Sequence, residues 1–89
     1  VIQNFALSNA YPNPFNPTTT IQYSIPTREQ LDISIYNLNG EMVRKLYNGI
    51  QEAGTWNIEW NASDQPSGVY FVRLESGNQV ERQKVMLVK

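Results

Sequence analysis

The chain has 89 residues, no cysteine, no histidine and a formal net charge of −1. That length makes one domain, able to bury only roughly 60–65% of its unfolded surface. The two missing residue types exclude disulfides, thiolate zinc sites, a cysteine nucleophile, and the commonest general base and metal ligand. The near-neutral balance gives no electrostatic case for nucleic acid or anionic lipid.

The N-terminus has no basic-then-apolar layout of a signal peptide, and the chain does not begin with Met. It therefore reads as a piece of a longer protein, with residues 1–6 as the remnant of a linker. No apolar run approaches the roughly 20 residues needed to span a bilayer. The first distinctive stretch is Tyr11-Pro12-Asn13-Pro14-Phe15-Asn16-Pro17. Its prolines fix φ and remove backbone donors, so it cannot be a helix or a central strand. Residues before proline are also pushed toward extended geometry. The segment is expected to be a rigid, extended edge leading into Thr18. Tyr11 and Phe15 are expected to pack it onto a core.

From there the apolar residues repeat every two positions, the period of a strand. Ile21, Tyr23 and Ile25 form one run, and Leu31, Ile33 and Ile35 the next. Glu41 to Tyr47 is ambiguous, because Met42, Val43, Leu46 and Tyr47 fall at helical spacing. Two turns of helix would not hold themselves together, and the segment follows a hairpin signal, so it is read as a strand. Trp56, Ile58 and Trp60 make a further run. The run Val69 to Leu74 is apolar on both faces in its first half, which suggests a central strand. The last, Val80 to Val88, is polar early and apolar late, with Val85 and Leu87 on one face.

The five glycines (Gly40, Gly49, Gly54, Gly68, Gly77) are placed between these runs, as are the five prolines. Asn39-Gly40 is the strongest hairpin signal, since both residues tolerate positive φ. Ser76-Gly77-Asn78 is a second turn, and Asn61 to Gly68 is a polar loop. About seven short strands at spacings near ten residues, with no convincing helix, predict an all-β fold. The expected architecture is an immunoglobulin-like antiparallel β-sandwich.

Chemistry has few places to reside. Asp32 and Glu59 could form an acid pair, but each is placed on the polar face of its strand, where charge keeps a sheet solvated. Ser24 and Ser34 are read as outward positions with nothing to activate them. Asn61, Ser63 and Asp64 share a loop that could offer oxygen ligands to calcium. Their spacing matches no defined motif, and the same residue types build ordinary turns. Trp56 and Trp60 share a face with Ile58. That face is read as core, because large aromatics dominate the cores of small domains. Exposed coplanar rings would instead make a sugar-stacking platform. No catalytic set, metal or cofactor is expected. The C-terminal run holds Arg82, Lys84 and Lys89 against Glu81 alone, either as charge guarding an edge strand or as a recognition surface.

Taken in order, several pieces resemble one family. They are Tyr11 to Pro17 leading into Thr18–Pro26, then Leu31–Gly40, Ala53-Gly54-Thr55-Trp56, Ser67–Leu74 and the closing Lys84–Lys89. Together they resemble the type A C-terminal sorting domain of the type IX (Por) secretion system, from Leu7 onward. Flagellar hook-capping Ig-like domains share part of the pattern. The resemblance implies a non-catalytic address label at the end of a secreted parent protein. It implies as partners an N-terminal cargo domain, the outer-membrane type IX translocon and sortase-like attachment machinery. It implies passage through the periplasm of a Gram-negative, Bacteroidetes-type bacterium to the cell surface or medium, and no nucleic acid; the domain is expected to be a monomer. By analogy the signal lies in the last strands, at Gly68, Tyr70, Lys84, Val85 and Lys89. Pro12, Asn13, Pro14, Gly40 and Gly54 take structural roles, with Asn13 bonding a neighbouring backbone to hold the first edge. The alternative is a carbohydrate-binding or Ig-like spacer module of a secreted glycoside hydrolase.

Overall fold

A computed structural model describes residues 5–77 and 79–89. The period-two runs become strands β1 (Ala6–Leu7), β2 (Thr18–Ile25), β3 (Glu29–Asn37), β4 (Met42–Gln51), β5 (Gly54–Asn61), β6 (Gly68–Ser76) and β7 (Gln79–Leu87). Among the described residues there is no helix. β1-β2-β5 form one sheet and β4-β3-β6-β7 the other, with antiparallel pairing throughout both. The two sheets face each other as an immunoglobulin-like sandwich, and β6 is central in its sheet, as its two apolar faces imply.

The core is the inward half of each alternation. Ile21, Tyr23 and Ile25 of β2 meet Leu31, Ile33 and Ile35 of β3, Tyr70, Val72 and Leu74 of β6, and Val85 and Leu87 of β7, all buried. Each such aliphatic side chain contributes roughly 1.5–3 kcal/mol by leaving water. The helical spacing within β4 has a structural cause. Its ladder with β3 shifts register between Ile33 and Ser34 and again between Ile35 and Tyr36. Bulges of this kind break strict alternation, so Val43, Leu46 and Tyr47 all pack against the core.

Several expectations are corrected. Tyr11 is 81% exposed, so only Phe15 of the proline segment packs down. Ser34 does point away from the inter-sheet core, but its neighbours bury it, and its hydroxyl donates to Asp32 Oδ1 at 2.6 Å. Gly49 lies inside β4 rather than between strands, and Gly54 and Gly68 begin β5 and β6. At the Asn39-Gly40 hairpin only Gly40 has positive φ, 84°. Gly40 N–H donates to Asn37 C=O, and the Asn37 side chain caps the amides of Asn39 and Glu41. The loop is thus a turn closed by one left-handed glycine. Residues 1–4 of the expected linker lie outside the described residues. Ala6 already belongs to β1, and Phe5 packs against the core. The second turn falls between paired Ser76 and Gln79, while Asn78 itself lies outside the described residues.

Candidate recognition surface

The segment from Tyr11 to Pro17 is a strap that joins the two sheets at one end of the sandwich. At its start, Tyr11 and Thr20 exchange backbone hydrogen bonds across to β2, each at 2.9 Å. Thr19, buried, donates its hydroxyl to Pro12 C=O at 2.8 Å. The strap then crosses to the outer edge of β7. Asn13 Nδ2 donates to Lys84 C=O at 3.2 Å, and Met86 N–H donates to Asn13 Oδ1 at 3.0 Å. Phe15 N–H donates to Met86 C=O at 2.9 Å, and Val88 N–H to Phe15 C=O at 3.0 Å. The prolines explain the division of labour. They supply no N–H, so one side-chain amide and one backbone residue satisfy the β7 edge. Asn13 thus bonds a neighbouring backbone and holds this first edge in place, and the strand it is fastened to is the last of the fold.

Beneath the strap, Phe15, Trp60 and Tyr70 form an aromatic stack. Both ring pairs, Phe15–Trp60 and Trp60–Tyr70, have centroids 5.4 Å apart, the second edge-on. The Tyr70 hydroxyl donates to Pro66 C=O at 2.6 Å, and burial, followed by the charge of Asp64, raises its pKa. Trp60 Nε1 is buried and, among the described residues, has no hydrogen-bond partner.

The residues expected to carry recognition divide by this geometry. Gly68 pairs with Leu87 and Tyr70 with Val85 in the β6–β7 ladder. Gly68 has φ of 156°, where side-chain-bearing residues rarely sit, and a Cβ there would meet open space, so its demand is conformational. Tyr70 and Val85 are buried in the inter-sheet core. Lys84 is exposed, and among the described residues its ammonium has no acid partner. Lys89 is tethered instead, with Nζ donating to Ser63 C=O at 2.7 Å and N–H to Ser67 Oγ at 2.9 Å. Gly68, Tyr70 and Val85 thus shape the strand pair, and Lys84 is the side chain offered to solvent.

Sequence reasoning missed the neighbours of Lys84. With Val72, Leu74 and Val85 inside, the outer face presents rows across β3, β6 and β7, and two of them hold the cations. One is Ser34–Arg73–Arg82, the other Tyr36–Phe71–Lys84. A turn that leaves Ser76 opposite Gln79 sets Arg73 opposite Arg82, so counting back from that turn finds the pair.

The other candidates resolve plainly. Trp56, Ile58 and Trp60 do share the inward face, opposite Tyr23, Ile21 and Thr19. Trp60 is buried, but Trp56 lies at the open end of the sandwich, 37% exposed, with Nε1 bonded to Glu52 C=O. One buried and one tethered indole make no sugar platform. Asp32 is half-buried and ion-paired to Lys45 at 2.7 Å, while Glu59 is exposed on β5 in the opposite sheet, so the two are not an acid pair. Asn61 Oδ1 accepts from Ser63 N–H, an ordinary turn bond. Among the described residues, no three of His, Cys, Asp and Glu are grouped to hold a metal.

Comparison with known proteins gives one family and a shared fold. A family model described as the secretion system C-terminal sorting domain matches residues 9–89. No curated protein matches the sequence. Among solved structures, the chain resembles part of PorZ, described as an essential bacterial surface component of the type IX secretion system of Porphyromonas gingivalis. Identity is 25% with a TM-score of 0.60, over 90% of this chain and 11% of that one. It also resembles part of the alkylpurine DNA glycosylase AlkC of Pseudomonas fluorescens at 14% identity and a TM-score of 0.59, over 98% of this chain and 32% of that one. The second likeness is one of fold alone. The chain thus spans a small fraction of the proteins it resembles.

Proposed function

The chain belongs to the family of secretion-system C-terminal sorting domains, and from that premise we propose that the type IX machinery of the outer membrane reads it as the address label of a parent protein. The domain is cargo-side and performs no chemistry of its own. Its parent crosses the periplasm of a Bacteroidetes-type cell to the surface or medium, and sortase-like machinery attaches the parent there. One observation supports this most. The strap holds the backbone of β7 from Lys84 onward and of Val88 just after it, yet leaves the side chains of Arg82, Lys84 and Met86 exposed. A label needs a fixed frame and a legible surface, and this strand has both.

The test is delivery of a fluorescent protein fused ahead of the domain in a type IX-competent host. Removing residues 84–89 is a poor variant, because it also strips Val85 and Leu87 from the core. Lys84→Glu leaves the core intact. It should strand folded cargo in the periplasm, whereas the unaltered fusion reaches the surface. Surface delivery of the Lys84→Glu fusion at the unaltered rate would refute recognition through β7. Delivery of cargo with no sorting domain at all would refute the sorting role.

A further inference from the structure

The outer face of β3-β6-β7 carries an arrangement that a merely solvated sheet would avoid. Arg73 and Arg82 are direct cross-strand neighbours, and like charges placed so are destabilising. Arg73 is partly engaged. Its guanidinium lies 6.0 Å from the Tyr36 ring centroid, and Nη2 reaches Glu75 at 3.3 Å. Its Nε is nevertheless buried and, among the described residues, has no hydrogen-bond partner. Arg82 is exposed, and among the described residues it has no ion pair. Lys84 stands in the next row, opposite Phe71. Three cations are therefore gathered on one face of a domain whose net charge is −1.

Beside them is a concavity of about 430 Å³, lined by Tyr36, Leu38, Phe71, Arg73 and Arg82 among others. Leu38 is 71% exposed at its rim. Two guanidinium groups facing a common space suit a carboxylate, which accepts paired N–H donors in one plane. The apolar floor suits a hydrophobic side chain next to that carboxylate. Glu75 and Asp32 flank the arginines on the same face, which disfavours a dianionic phosphate.

We propose that this groove is a docking site for an acidic segment of a protein partner, one carboxylate held between Arg73 and Arg82 and an adjacent apolar side chain seated over Phe71 and Leu38. The inference deepens the sorting reading, on which its biological meaning rests, by naming the face and the chemistry through which that partner engages the domain.

The test is a titration of the isotope-labelled 89-residue chain, followed by amide NMR. The probe is an acetylated phenylalanine–glutamate–leucine tripeptide amide. Its glutamine counterpart, glucuronate and inorganic phosphate serve as comparisons. The glutamate peptide should shift Tyr36, Phe71, Arg73 and Arg82 saturably. The glutamine peptide should bind at least about tenfold more weakly, the factor expected for losing charge-assisted hydrogen bonds. Arg82→Ala should abolish the shifts without lowering the melting temperature, since among the described residues the Arg82 side chain forms no ion pair and its removal relieves the repulsion from Arg73. Equal binding of both peptides, indifference to Arg82→Ala, or a stronger response to glucuronate or phosphate would overturn the proposal. The two readings fail separately. A domain that binds the peptide through Arg82 but never delivers cargo keeps the groove and loses the sorting role, and the opposite result does the reverse.

Discussion

Replacing Asn13 with Ala removes both side-chain bonds that fasten the strap to Lys84 and Met86. The loss should be about 1–2 kcal/mol in denaturant unfolding. Asn13→Asp should not restore it, because a carboxylate cannot donate to the Lys84 carbonyl. Asp32 offers a second residue-scale check. Burial alone would raise its carboxyl, but hydrogen bonds from Lys45, Ser34 and Asn48 and the charge of Lys45 outweigh this and hold it below its ordinary 3.8. The folded pKa is the lower one. Ionised Asp32 therefore stabilises the fold above the unfolded value, and that contribution fades as pH falls through the folded value. Asp32→Asn should be less stable than the parent near neutrality, and the gap should narrow below about pH 4. A gap independent of pH would show that Asp32 acts by packing alone.

At the scale of elements, the strap and β7 depend on each other through the Phe15–Trp60–Tyr70 stack. Phe15→Ala should cost about 3–5 kcal/mol, a large part of the roughly 5–15 kcal/mol that a domain has. Trp60→Phe should be milder than Trp60→Ala in thermal unfolding. It keeps a ring between Phe15 and Tyr70 and removes a buried N–H that has no partner among the described residues. The strands themselves were legible, because period-two alternation at Ile21–Ile25, Leu31–Ile35 and Tyr70–Leu74 follows directly from one buried face. β4 was harder because its bulges mimic helical spacing. Tyr11 was misjudged because an aromatic beside prolines reads the same whether it faces in or out. The strap's destination was illegible for a different reason: its partners lie over seventy residues away, at separations of 71 and 73, and local pattern carries no such information.

On the scale of the whole molecule, the family resemblance and the sandwich were legible from ordered short motifs. The candidate surface was legible only in part. Lys84 announced itself as a cation in a run turning apolar, whereas the Arg73–Arg82 pair exists only once strands are in register. A chain ending at Gln83 should lose cooperative unfolding and its near-ultraviolet dichroism, since the remaining core lacks Val85 and Leu87 and the strap has nothing to hold; a native-like spectrum would show that β7 is an accessory. The latch between Asn13 and the Lys84–Met86 backbone also bears on synthesis. An early segment of the domain waits for a late one, so closure cannot occur before the ribosome has made both. A nascent domain halted between Asn13 and Met86 would keep its strap loose, so the latch closes only after nearly the whole sandwich has been made.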